Sequence, residues 1–195
     1  MSAPAFSWDE VRRDGAGKVV LLYRHARILR EPFWPGVRDV LDVGGWGIFA
    51  ERVLQEGRTC IILDKFTKDQ QYPERVQMLP HRRGDVCNPG LFLPASFDLI
   101  TCCETLEHVR DVPAALSSMY RWLRSGAHLV GTVPLPGFCH HAGEDGISIL
   151  SEAELRGALS AAGYDRIRIE PTRSEGRDDE PPCSLYFVAR KAAPP

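Results

Sequence analysis

Residues 40–50 read Val-Leu-Asp-Val-Gly-Gly-Trp-Gly-Ile-Phe-Ala, and no other stretch limits the fold so tightly. A short apolar run ends beside an acid, breaks into glycines and opens at Ile48 into spacing that suits a helix. That is the order of a buried strand, a tight turn and a helix N-terminus. Glycine has no Cβ and tolerates positive φ, so Gly44 and Gly45 let backbone N–H groups come close to a ligand. The Asp42 carboxylate just before them can accept hydrogen bonds from cationic or hydroxylic ligand groups.

Around this turn the chain alternates strands with helices. Strands are expected at residues 39–43, 59–63, 96–103 and 127–133, and helices at 48–56, 113–123 and 151–162. Gly57 is a suitable C′ residue for the first helix, Pro113 opens the second, and Ser151 with Glu154 forms a capping box for the third. Residues 73–78 suit a short helix, and 77–79 suit the beginning of a third strand that runs toward Gly84-Asp85-Val86. Residues 166–170 and 184–191 are two closing strands joined by a polar loop with no helix between them, which predicts an antiparallel end to a parallel sheet. The expected fold is a Rossmann-like α/β three-layer sandwich with a mostly parallel seven-stranded sheet and an antiparallel C-terminal hairpin. Residues 1–36 read as a short cap segment, with helix-compatible spacing over 19–29, and 37–195 as a single domain.

Ligands of such folds bind beyond the carboxyl ends of the strands. The Gly44 turn, Asp64, Asp85, the loop from Cys103 to His108 and the loop over 134–146 all fall there. Asp64 follows Asp42 by 64 − 42 = 22 residues, at the end of the second strand. An acid in that place suits ribose hydroxyls, an arrangement shared by several adenosine-containing cofactors. Residues 45–50 also fit the loose dinucleotide fingerprint G-x-G-x-x-A, so the glycine turn by itself leaves an NAD-dependent oxidoreductase open.

Composition narrows the partners. The 195 residues are 44% hydrophobic and carry 24 basic against 26 acidic side chains, a net charge of −2. Lys and Arg form no run, so no nucleic-acid partner is expected. The apolar runs are strand-sized and the first 15 residues lack a secretory pattern, so no membrane partner is expected and the expected location is the cytoplasm. The six cysteines have no CxxC pair, and those inside strands suit small buried hydrophobes.

The order of the pieces Val40-Leu-Asp-Val-Gly44, Ile62-Leu-Asp64 and Gly84-Asp-Val86, followed by residues 97–109 with Glu104-Thr-Leu-Glu107-His108, resembles one family. It is that of the class I S-adenosylmethionine-dependent methyltransferases, closest to the small ones with an E-x-x-E-H loop. The resemblance covers residues 37–191. It implies S-adenosyl-L-methionine as cofactor, S-adenosyl-L-homocysteine as product, and methyl transfer to O, N or C of a small molecule. It also implies that Asp42, Gly44 and Gly45 surround the methionine end and that Asp64 takes both ribose hydroxyls. Lys65 and Phe66 would stand beside the adenine. Asp85 would accept from the adenine amino group, the Val86 N–H would meet a ring nitrogen, and Cys103 and Glu104 would pass near the sulfonium.

The family's commoner turn would have glycine at 46 and 48, where this chain has Trp46 and Ile48. A bulky Trp46 swings outward or folds over the methionine tail, and a non-catalytic methyltransferase-like binding module remains an alternative. Transfer from a sulfonium is a direct displacement, so alignment and exclusion of water carry much of the rate. A base is needed only for a protonated acceptor, and the candidates are His108, His140 and His141, with Glu104 and Glu107 behind them. No metal site is expected, because His140-His141 has no third ligand at metal-site spacing. In the cap, Tyr23, Arg24 and His25 include a basic residue suited to the cofactor carboxylate. The small cap leaves an open pocket, suited to a carrier-bound acceptor or to closure by a homodimer. Richness in Ala, Arg and Gly fits a GC-rich bacterial source, and a small stand-alone enzyme fits natural product biosynthesis.

Overall fold

The computed structural model describes residues 23–45, 47–65, 78–135, 150–173 and 181–193. At its centre lies β1 (Asp39–Val43), whose Val40 and Leu41 are fully buried. Such a run, apolar on both faces, is what a parallel strand covered on both sides requires. It pairs in parallel with β2 (Thr59–Asp64) and β4 (Phe97–Cys103). Beyond them stand β3 (His81–Arg83) and β5 (Leu123–Pro134). The seven strands run in the order β3-β2-β1-β4-β5-β7-β6. The closing hairpin is β6 (Tyr164–Thr172) and β7 (Ser184–Lys191), and β7 is antiparallel to both β5 and β6.

Helices cover both faces, which completes the three layers. On one face, Ile28 from α1 (Tyr23–Ile28) and Phe49, Ala50 and Val53 from α2 (Ile48–Gln55) pack with Trp34 on Val40, Ile62, Leu99, Val130 and Tyr186. On the other, Leu116, Met119 and Trp122 from α3 (Val112–Trp122) and Leu155 and Leu159 from α4 (Glu152–Ala161) cover Leu41, Ile100, Leu129 and Phe187. Asp111 caps α3 by accepting from the Ala114 N–H at 2.9 Å, and the Ser151–Glu154 capping box opens α4.

The differences from expectation lie at element ends. The third strand, expected to begin at residues 77–79 and run toward Gly84, is His81–Arg83, a short polar edge strand with no apolar alternation to announce it. Leu123 does not end α3; it is fully buried and already paired with Phe97 as the first residue of β5. Strand β5 therefore starts four residues before the expected Ala127. Strand β6 extends beyond 166–170 at both ends, with an irregularity between Asp165 and Arg168 where Arg166 takes φ +48°. Residues 73–77 of the expected short helix lie outside the described residues. Among the described residues no helix is long and apolar enough to cross a membrane.

Candidate active site

Strand order reverses between β2-β1 and β4-β5, so the crevice opens between β1 and β4, beyond their carboxyl ends. The glycine turn sits at its mouth. Gly44 has φ +68°, and its N–H donates to the Leu63 carbonyl at 2.8 Å, which ties the turn to β2. A Cβ at Gly45 would overlap the Asp42 carboxylate, and one at Gly44 would overlap the Thr105 side chain. The turn is thus packed from both sides and leaves room only for hydrogen at these two positions. Gly47 takes φ +84° and precedes α2, whose first backbone bond runs from Glu51 N to Gly47 O at 2.8 Å. Ile48 follows with helical backbone and is buried, so it forms an apolar wall of the crevice. Trp46 lies outside the described residues.

Asp42 stands under the turn, 2% exposed, and accepts a hydrogen bond from Thr101 Oγ1 at 2.7 Å. Burial pushes its carboxyl up to about 6, against the Thr101 hydroxyl and the Arg24 charge, which pull it down. Arg24 and His25 come down from α1 into the same crevice, which Cys103 closes on the far side. Arg24 Nε and His25 Nδ1 are buried without a hydrogen-bond partner. Burial, helped by Arg24, holds His25 neutral, its imidazolium lowered to about 3. The ring leans on Phe49, 5.2 Å between centroids. The only partnerless cationic nitrogen in this crevice, among the described residues, is therefore Arg24 Nε, beside an acid and a glycine turn.

The next strands extend the row. Asp64 ends β2, and its carbonyl accepts from Gly84 N at 2.8 Å, so the β2 and β3 ends lie side by side. The Lys65 carbonyl accepts from Arg83 Nε at 3.2 Å. Asp85 is exposed and accepts from Cys87 N at 2.9 Å, which fixes a small turn, while Val86 is buried. At the end of β4, Glu104 has φ +49° and its N–H donates to Thr132 O at 2.9 Å. Its Oε1 is buried without a partner.

Glu107 follows in a 3-10 turn, Leu106–His108. It is 3% exposed, and burial with the neighbouring Glu104 charge raises its carboxyl to about 8. His108 is 40% exposed, with Nε2 4.0 Å from Glu107 Oε1, too far for a hydrogen bond. The structure therefore brings Asp42, Gly44, Gly45, Asp64, Lys65, Asp85, Val86, Cys103 and Glu104 to one end of the sheet. His108 stands in the loop after β4. Phe66, His140 and His141 lie outside the described residues. Of the cap residues, Arg24 and His25 reach the crevice, whereas Tyr23 is 43% exposed. Sequence reasoning missed Thr101; its signal was a hydroxyl in mid-strand, in register opposite Asp42.

Residues 21–169 match the methyltransferase domain family, and the chain belongs to that family. Its fold is that of the class I S-adenosylmethionine-dependent methyltransferases. A structure of this type from Archaeoglobus fulgidus superposes with a TM-score of 0.69 at 19% identity, over 86% of this chain and 92% of that one. Phosphoethanolamine N-methyltransferase 2 of Haemonchus contortus, bound to S-adenosylhomocysteine, superposes with a TM-score of 0.62 at 16% identity. That match covers 80% of this chain and 49% of the worm enzyme. In sequence, 96 residues are 33% identical to the ubiquinone biosynthesis O-methyltransferase of Paracidovorax citrulli, 46% of this chain and 40% of that protein. The chain thus spans about two fifths of the length of the curated relatives it matches.

The donor set fits the family's cofactor, S-adenosyl-L-methionine. A zwitterionic amino-acid tail needs a cation and an anion side by side, and Arg24 Nε and Asp42 stand in one crevice. The absence of a Cβ at Gly45 lets the Asp42 carboxylate pack directly against the turn backbone, and its absence at Gly44 does the same for the Thr105 side chain.

Proposed function

We propose that the protein transfers the methyl group of S-adenosyl-L-methionine to an oxygen, nitrogen or carbon of a small molecule, free or carrier-bound. The observation that carries this reading is the placement of Arg24, whose Nε is buried without a hydrogen-bond partner, in one crevice with buried Asp42 at the glycine turn, on the sheet end that also carries Asp64 and Asp85. When bound, the cofactor supplies an electrophilic methyl carbon whose leaving group is a neutral thioether.

The chain's own residues have four tasks. Arg24 holds the tail carboxylate, while Asp42 and the Gly44–Gly45 backbone hold the ammonium through hydrogen bonds or water. Asp64 accepts from both ribose hydroxyls, and Asp85 and the Val86 N–H read the adenine edge beside Lys65. Ile48 and the buried β4 end exclude water around the reacting centre, where displacement gains most from alignment. Cys103 and Glu104 line the side facing the acceptor.

A phenol or alcohol must also lose a proton. His108, His140 and His141 are the residues we assign to accept it. Glu107, with its carboxyl raised to about 8, keeps its own proton at neutral pH and adds no second negative charge beside Glu104. The 33% identical relative is an O-methyltransferase, which supports oxygen as the acceptor atom. A bulky acceptor, closure of the site by a second copy and a place in natural product biosynthesis belong to the same proposal.

The test is transfer of a radiolabelled methyl group to a panel of catechols, phenols and amines. Acceptor-dependent formation of S-adenosylhomocysteine is expected. Cofactor binding with no transfer to any acceptor would favour the non-catalytic module.

A further inference from the structure

Glu31 and Tyr186 are buried polar side chains for which the site described above has no use, 8% and 1% exposed. The Tyr186 hydroxyl donates to Glu31 Oε1 at 3.0 Å, and Arg168 pairs with the same oxygen. The Arg27 guanidinium lies over the Tyr186 ring, 4.0 Å from its centroid, and pairs with Glu170. Glu170 is the residue opposite Tyr186 in the β6–β7 register. The Tyr186 phenol is pushed far up by burial and by Glu31, so it remains a proton donor at any working pH. Five side chains thus fasten the segment that begins with α1 to the closing hairpin, with Tyr186 as their hub.

The spacing of that segment gives the fastening a purpose. Arg24, Arg27 and Ile28 stand at i, i+3 and i+4, one face of α1, and Glu31 follows in the turn after it. The backbone bonds Arg30 N to Arg27 O, 3.0 Å, and Glu31 N to Ile28 O, 3.1 Å, carry the winding past the end of α1. Ile28 is wholly buried on this face. Arg24 therefore stands near the start of a short segment, α1 and the turn after it, whose Arg27 and Glu31 are anchored to the hairpin. Any slide or rotation that broke the anchor would carry Arg24 away from Asp42. The anchor also lies next to the β4 end: Tyr186 pairs in register with Thr132, whose carbonyl holds the Glu104 N–H.

We propose that Tyr186, acting through Glu31 and Arg27, is a positioning residue for cofactor binding, which sets the placement of α1 that presents Arg24 to the crevice. This rests on the reading of Arg24 as the holder of the cofactor carboxylate. The hydroxyl contributes a hydrogen bond that ties β7 to Glu31, the last residue of the segment that α1 begins.

The test is calorimetric titration with S-adenosylhomocysteine of the wild type, Tyr186→Phe, Arg24→Ala and the double variant. Tyr186→Phe is expected to weaken binding about tenfold, or 1.4 kcal/mol, when Arg24 is present. In the Arg24→Ala background the same change should cost under about twofold, because the group it positions is already gone. An equal loss in both backgrounds, or no loss in the first, overturns the positioning role and leaves the Arg24 reading standing. Arg24→Ala binding as wild type overturns that reading, and the proposal with it.

A second pair guards against misfolding. Glu31→Gln keeps an acceptor for the phenol and should retain affinity to within about threefold, whereas Glu31→Ala should match Tyr186→Phe. Equal losses in the two Glu31 variants would overturn the proposal. In turnover the effect is expected in the KM for cofactor, with kcat and the acceptor KM unchanged.

Discussion

Replacing Glu107 by glutamine tests the electrostatics of the E-x-x-E-H loop. Glu107 is 3% exposed, its Oε2 has no partner, and burial with the Glu104 charge raises its carboxyl from 4.5 to about 8. Its folded pKa is raised above the unfolded value. Its contribution to stability is therefore fully present below pH 4.5 and is lost as pH rises through 8. A gap of about 3.5 pH units at roughly 1.36 kcal/mol each makes about 5 kcal/mol, an upper bound because the loop can open and admit water.

Asp42, raised to about 6, acts with the same sign, but it is present in both proteins and cancels in their difference, which isolates Glu107. Glutamine keeps the shape and carries no charge at any pH. In urea unfolding followed by circular dichroism, the variant and the wild type should be similar at pH 5. Between pH 6 and 8 the variant should gain on the wild type by roughly 2 kcal/mol. Parallel pH profiles for the two proteins would refute the reasoning, since a buried carboxylate that costs nothing to ionise is not buried as described.

Two further substitutions address the turn and the core. Gly45→Ala places a methyl group on the Asp42 carboxylate, so it should destabilise by about 1–3 kcal/mol and weaken cofactor binding at least about tenfold, read by calorimetry. Trp122→Ala lies on the opposite face of the sheet, fully buried, with its indole N–H donating to Pro89 O at 3.0 Å. It should lower stability by about 3–5 kcal/mol in urea unfolding and leave cofactor affinity below the transition nearly unchanged.

What the sequence disclosed follows from which forces act locally. Strands β1, β2 and β4 were legible because their apolar runs are too short for a helix, are rich in β-branched residues and end beside an acid or a glycine, which suits a covered strand. The crevice was legible with them, because its residues sit at strand ends. Strand β3 was hidden because three polar edge residues have no core to face. The start of β5 was hidden because Leu123 suits the last turn of a helix as well as a strand.

Side-chain partnerships were hidden for another reason. Thr101 meets Asp42 across 59 residues, and Tyr186 meets Glu31 across 155. No periodicity within a window reports such pairs. Arg24 was legible as a type, a basic residue in a cap, while its place above Asp42 depends on how α1 docks on the sheet.

The central claim is that this crevice holds S-adenosylmethionine, and calorimetric titration with S-adenosylmethionine, S-adenosylhomocysteine and NAD tests it most directly. The account expects micromolar binding of both adenosyl compounds and none of NAD. In Asp64→Ala, loss of two charge-assisted hydrogen bonds to the ribose should weaken binding by about a hundredfold or more. Binding of NAD alone, or adenosyl binding untouched by Asp64→Ala, would contradict it.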